Sequence, residues 1–427
     1  MLLTKLKQVF KIKTLRNSIL FVLAMLLISR VAAHIPIPGI EISGLKEFFE
    51  SNQVLGLLNM FSGGGMKSFS IVMLGVGPYI TASIIIQLLT MIVPSLEALQ
   101  KEGDAGRRKI NQYTKYLTIP LSLVQGYSLI TLLQRQSQYG IIGHLSIVQY
   151  AVALITICAG TVFLMWLGDL ITEKNIGNGI SLLIFAGIVA GWVSSLQRMI
   201  FAFDPSKVYT FVIYTLIALA TIVVVIIINE GQRNIPVSYA RRVRGNKMYG
   251  GVNTHLPLKV NQAGVIPIIF AISLILLPPM VAGFFASAGN QIIASIANWI
   301  VNLFQNQIFY GVIYFVLVVA FTYFYTAIIF HPDQISENLQ KQGGFIPGIR
   351  PGKHTAQYLQ NIVTRVNFAG ALFLGMIAVL PVIMQAFTKG IGSVVVGGTS
   401  ILIVVSVVIE SVKQINAQLT MRNYEEL

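Results

Sequence analysis

The chain has 427 residues, of which 55% are hydrophobic and only 11% charged, with a formal net charge of +15. Soluble domains run at about half apolar and a quarter charged, so this composition excludes a soluble globular domain and indicates a polytopic membrane protein. The single cysteine, Cys158, rules out an intrachain disulfide, and His34, His144, His255, His331 and His354 stand singly, without the paired spacing of a zinc site.

Taken in order, the chain opens with Lys5, Lys7, Lys11, Lys13 and Arg16 among Leu2, Leu3, Leu6, Val9 and Phe10, which predicts an amphipathic helix in the headgroup layer. A cleaved signal peptide ending near VAAH is the competing reading; Arg30 just before that site and nine further spans argue against it. Apolar runs predict spans at 17–33, 70–93, 116–133, 147–168, 180–196, 208–229, 262–283, 308–330, 367–387 and 393–412. Before the second span comes a weakly apolar segment broken at Gly63-Gly64-Gly65. Glycine disfavours helix by roughly 1 kcal/mol per residue, so the chain can swing there. The segment reads as a movable piece beside a membrane wall, or as a plain glycine-rich loop.

Ten spans put both termini on one side. Of the 30 Lys and Arg, 23 fall on that side, six in the opposite connections, and Arg30 lies at a span end. Basic loops stay inside, which places both termini and the long loops in the cytoplasm. Five spans precede the boundary near residue 203 and five follow it, dividing the chain into halves 1–203 and 204–427. An odd count makes the second half enter from the opposite face, the arithmetic of an inverted repeat.

The spans carry almost no acid or histidine: Asp169, Glu230 and Glu410 lie at or near span ends. Ion-coupled carriers retain such groups for their function, so proton or sodium coupling is disfavoured. No ring of charge or repeated carbonyl filter marks a selective ion channel either. The physical reading alone leaves open a secondary transporter of small solutes, and a lipid-anchored scaffold for cytoplasmic partners. The two long cytoplasmic loops, 230–261 and 331–366, each read as two ordered arms joined at a basic tip. In the first, Ile235, Val237 and Tyr239 alternate with polar residues toward Arg241, Arg242, Arg244 and Lys247, as in a strand. In the second, GFIPGIRPG at 344–352 presents Arg350 beside Lys353. Such tips suit anionic membrane lipids or a large acidic partner such as ribosomal RNA.

Eight stretches, in order, resemble the SecY family, the central subunit of the bacterial protein-conducting channel: AHIPIPG at 33–39, NMFSGG at 59–64, PYITASIIIQLL at 78–89, EGDAGRRKINQYTKY at 102–116, GNGISLLIFAGIVAG at 177–191, THLPLKVNQAGVIP at 254–267, GIRPG at 348–352 and GGTSILIVV at 397–405. The resemblance implies an all-α fold of ten transmembrane helices, with two inverted five-helix halves closing like a clamshell around a central pore. It implies no cofactor and no enzymatic activity. A ring of aliphatic side chains, Ile80, Ile84, Leu183, Ile269 and Ile403, would narrow that pore, with Leu183 replacing the family's usual isoleucine. Apolar side chains at a constriction oppose wetting, yet part around a chain of any sequence.

By the same resemblance, about Met60 through Ser70 would be the plug, with Phe61 in its body, Gly63, Gly64 and Gly65 as hinges and Lys67 as a charged departure. Gln87 and Asn261 would be polar latches at a side opening that releases apolar segments to lipid and admits signal peptides. Arg350, with Arg241, Arg242, Arg244, Lys247 and Lys353, would engage the motor ATPase SecA or a translating ribosome, while SecE would clasp the hinge between the halves and SecG lie peripherally. GGGMKS at 63–68 lacks the spacing of a phosphate-binding loop, so energy must come from a partner or the membrane potential.

Overall fold

A computed structural model describes residues 11–37, 64–66, 68–135, 146–201, 208–239, 242–244, 247–249, 253–285, 290–388 and 398–425. The N-terminal half contributes α1 (Lys13–Ala32), α2 (Gly77–Ile92), α3 (Pro94–Lys101), α4 (Asp104–Arg135), α5 (Ile147–Thr172) and α6 (Gly179–Phe201). The C-terminal half contributes α7 (Val208–Glu230), strands β1 (Gln232–Tyr239), β2 (Arg242–Arg244), β3 (Lys247–Tyr249) and β4 (Asn253–Lys259), then α8 (Ile266–Phe285), α9 (Gln291–Gln305), α10 (Gln307–Ile329), α11 (Pro332–Lys341), β5 (Gly344–Phe345), α12 (Lys353–Thr388) and α13 (Gly398–Glu425). Ten of these helices coincide with the ten predicted spans. The expected domain boundary at residue 203 and the amphipathic segment before residue 11 lie outside the described residues.

Local chemistry sets the ends. Proline occupies the first turn of α2, α3 and α11, where its missing N–H would have had no helical partner. The Asn306 side chain accepts from the N–H groups of Ile308 and Phe309, starting α10 at a sharp corner after α9. Helix α2 is shorter than predicted. Residues 71–76 form turns, with Gly75 at φ 58°, because the backbone there lies against Gly160 of α5 instead of coiling. At Val93 the chain bends by 100° into α3. Helix α9 was not predicted at all, and α12 begins at Lys353, well before the predicted start of the ninth span at residue 367, absorbing the second arm of its loop.

The two long loops fold as one unit. Strand β1 is central, pairing antiparallel with β4 on one edge and with β5 on the other. Its alternation buries Ile235 and Val237, which pack with Leu258, Ile346, Leu359 and Val363 in a separate apolar cluster. Strands β2 and β3 form the outlying hairpin. Polar side chains are also used inside the bundle: the buried Thr326 hydroxyl of α10 donates to Asn367 Oδ1 of α12 at 2.9 Å.

Candidate channel site

The halves meet along two seams. On one, α8 packs against α2 and α4; on the other, α13 packs against α6. The five predicted ring residues come from four of these helices: Ile80 and Ile84 from α2, Leu183 from α6, Ile269 from α8 and Ile403 from α13. All five lie in one apolar cluster, Ile269 at its partly buried margin and Ile403 only 1% exposed. Beside Leu183 is a cavity of about 30 Å³, bounded by Ser29, Arg30 and Gly75 among others, room for a water rather than a solute.

Of the plug residues, Met60, Phe61, Gly63 and Lys67 lie outside the described residues, while Gly64 and Gly65 turn the chain, Gly64 at φ 87°. The stretch that follows is fastened to the segment after α1. Ile37 N–H donates to Phe69 O at 2.9 Å, Ile71 N–H to Ile35 O at 3.0 Å, and the Ser68 hydroxyl to Ala33 O at 2.8 Å. Phe69 and Met66 are buried against Leu129, Ile130 and Ile157 of α4 and α5. Phe69 holds φ 44°, a left-handed conformation that disfavours a bulky residue by roughly 1–2 kcal/mol, so its burial must outweigh that strain.

The two latch candidates are not hydrogen-bonded to each other. Gln87 donates to Ser83 one turn back, at 3.3 Å, and its Oε1 is buried without a partner. Asn261 stands at the approach to α8 and donates to Asn229 Oδ1 of α7 at 2.7 Å and to Gly264 O at 3.2 Å. Asn229 in turn donates to Ser406 Oγ of α13 at 2.6 Å. Asn261 therefore ties the seam helix to its own half. Asn229 and Ser406 were missed in the sequence, although an asparagine at the end of an apolar run, IIINE, was a usable signal. Across the other half, Gln125 of α4 donates to Thr81 of α2 at 3.3 Å. We expect Asn229→Leu, which strands both Ser406 and Asn261, to lower stability by about 1 kcal/mol, the scale of such bonds inside membranes; thermal unfolding of the purified protein in detergent measures it.

The basic tips differ in support. Arg241 lies outside the described residues, whereas Arg242 and Arg244 sit on β2 and Lys247 on β3. Arg350 is exposed on a fixed turn, and Lys353, the first residue of α12, is exposed just after it. Gly348 and Gly352 adopt φ 83° and 91°, the Thr355 hydroxyl donates to Arg350 O at 2.9 Å, and the Ser336 hydroxyl donates to Gly352 O at 2.7 Å. On the adjacent α11, the hydrogen bond from Lys341, and then its charge, hold the exposed Glu337 carboxyl below its ordinary range. Among the described residues no cluster of His, Cys, Asp or Glu could hold a metal ion.

The sequence model of SecY matches residues 70–412. A protein translocase subunit SecY from Streptomyces scabiei is 42% identical over 438 residues, covering 99% of both chains, and one from Halalkalibacterium halodurans is 43% identical over 427 residues, covering 98% of this chain and 97% of its own.

The chain belongs to the SecY family.

The solved fold agrees across wider divergence. A protein-conducting channel superposes with TM-score 0.65 at 18% identity, over 93% of this chain and 91% of that one; Sec61 in the canine ribosome-channel complex from the endoplasmic reticulum gives 0.62 at 17%, over the same shares. The ten-helix clamshell is thus the SecY fold, and the chain is a multi-pass translocase channel subunit, not an enzyme. The reading as a secondary transporter of small solutes gives way, because the relatives are translocase subunits and the fold is that of a protein-conducting channel.

Proposed function

We propose that the apolar cluster where the two seams converge is the closed constriction of a path for unfolded polypeptides, and that Ile80, Ile84, Leu183, Ile269 and Ile403 are its ring. The observation that carries this is their origin: helices from both seams supply them, so parting of the halves would part the ring. A polypeptide cannot cross hydrocarbon unfolded, since each unpaired amide is penalised by several kcal/mol. A path between the halves removes that penalty. An opening along α8, α2 and α4 would let an apolar segment partition sideways, gaining up to about 0.6 kcal/mol per Leu or Ile at mid-membrane, while Lys or Asp opposes it by about 3.

In this reading the chain sits in a bacterial cytoplasmic membrane with both termini in the cytoplasm, as its basic loops require. Residues 60–70 form the plug, hinged at Gly63 to Gly65 and fastened at its C-terminal end by Met66 and Phe69. The sheet domain, with Arg350 and Lys353 at one tip and Arg241, Arg242, Arg244 and Lys247 at the other, receives the SecA motor or a ribosome and its RNA. SecE clasps the hinge near residue 203, SecG lies peripherally, signal peptides enter at the seam, and membrane lipids cover the outside. Gln87 and Asn261 stand alike as latch candidates, because each has a buried amide oxygen without a partner while its amide nitrogen is engaged within its own half.

The test is cysteine crosslinking in inverted vesicles, from Ile84→Cys or Ile403→Cys in a Cys158→Ser background to a single-cysteine secretory precursor stalled in transit. Crosslinks at both positions that require motor and ATP are expected. Their absence at both, with the precursor still stalled in the channel complex, would move the path away from this cluster.

A further inference from the structure

Between Lys259 and Asp333 the chain carries no Asp, Glu, Lys or Arg. Helix α9 lies within this charge-free stretch, between the ends of α8 and α10 remote from the sheet domain. At 15 residues it spans about 22 Å, too short to cross a hydrocarbon core of about 30 Å. Its surface divides three ways. Gln291, Ser295, Asn298 and Asn302 recur every three or four residues and make one polar stripe. Ala294, Ala297 and Val301 make the stripe that faces the protein, where α9 packs on α8 and Ala297 is 3% exposed. The third stripe is apolar and uncovered: Ile292, Ile296 and Trp299 are 70%, 56% and 64% exposed.

That uncovered stripe continues a lipid-facing surface. Ile308 and Val312 on α10, across the corner at Asn306, are exposed too, as are Val281 and Phe285 at the end of α8. Phe304 and Phe309 meet edge to face at 5.5 Å and hold the corner between α9 and α10. A helix with one face on protein, one apolar and one polar matches the line where protein, acyl chains and water meet, and tryptophan favours that depth. The geometry points to α9 as an interfacial anchor in the leaflet remote from the sheet domain, its Ile292, Ile296 and Trp299 stripe seated in the headgroup and acyl boundary. It tethers the outer end of the seam helix α8 to the bilayer. With no charge on the helix, the contact is apolar and takes lipids irrespective of headgroup charge.

The test uses the full-length chain with Trp166→Phe and Trp192→Phe, which leaves Trp299 as its one tryptophan. It is reconstituted with its complex partners, themselves made tryptophan-free, into phosphatidylcholine vesicles. Lipids brominated near the headgroup should quench Trp299 at least twofold more than lipids brominated deep in the chain, acrylamide should quench it weakly, and added anionic lipid should leave the quenching unchanged. A nitroxide at Ile296→Cys in the Cys158→Ser background gives an independent reading, expected to be more accessible to oxygen than to a soluble nickel chelate. Quenching by acrylamide alone would place the stripe in water and overturn the anchor. Quenching by neither agent would mean that a protein surface covers it, and would overturn it as well. Quenching that appears only with anionic lipid would overturn the headgroup-independent contact.

Discussion

Ile403→Asp should open the resting channel to ions. The side chain is 1% exposed within an apolar cluster supplied by both halves, and a carboxylate there either draws water in or is driven to protonate. Asp at mid-membrane is unfavourable by about 3 kcal/mol relative to the lipid-compatible aliphatics, and every 1.4 kcal/mol removed from a wetting barrier is tenfold in flux. Single-channel recording or ion-flux assays on the reconstituted complex should therefore show resting conductance raised by tenfold or more. Ile403→Val should keep the seal, since it removes only one methylene from a flexible aliphatic wall. Conductance unchanged by the aspartate would place the barrier elsewhere.

The second large effect is structural. A Cβ on Gly160 would lie 1.9 Å from the carbonyl oxygen of Ile71 and 2.7 Å from its carbon, and both contacts are backbone. Gly160→Ala must push the 71–76 turn off α5, and with it the start of α2, which carries Ile80 and Ile84. Overpacking usually destabilises by about 1–3 kcal/mol, and a clash with backbone belongs at or above the top of that range. Thermal unfolding in detergent should fall by several degrees. Gly191→Ala on α6 is the matched control, because nothing lies within 4 Å of its added methyl; there the change should be neutral or slightly stabilising through better helix propensity.

Much of the fold was legible because a bilayer imposes one simple rule, a long apolar run with almost no charge, and each of the ten runs overlaps a helix. What hydropathy could not distinguish was backbone path. Ile71, Val72 and Met73 are as apolar as the residues that follow, yet the chain turns through Gly75 before α2 begins at Gly77, because it must pass Gly160, far away in sequence. Helix α9 was overlooked for a related reason: too short to span and too uncharged to read as a water-exposed connection, it fits neither template. The alternation of Ile235 and Val237 disclosed β1, but its pairing with β5 could not be read, since long-range strand contacts leave no local mark. The proposed ring could be picked out only through resemblance. Isoleucine and leucine are the commonest material of every span, and nothing in composition separates Ile403 from its neighbours. Asn261 was visible as a polar residue, while its partner Asn229, and the Ser406 hydroxyl that Asn229 reaches in turn, required the packing of α7 against α13.

The pairing of β1 with β5 also makes the sheet a mechanical junction. A push or pull delivered at the Arg350 turn cannot remain in one loop: the ladder shares it with β1, which runs back into α7, and with β4, which leads through Asn261 into α8. On the other side the turn leads directly into α12. Load applied by any machine that grips this surface thus divides among three membrane helices, and α8, which borders the other half of the molecule, lies on the route.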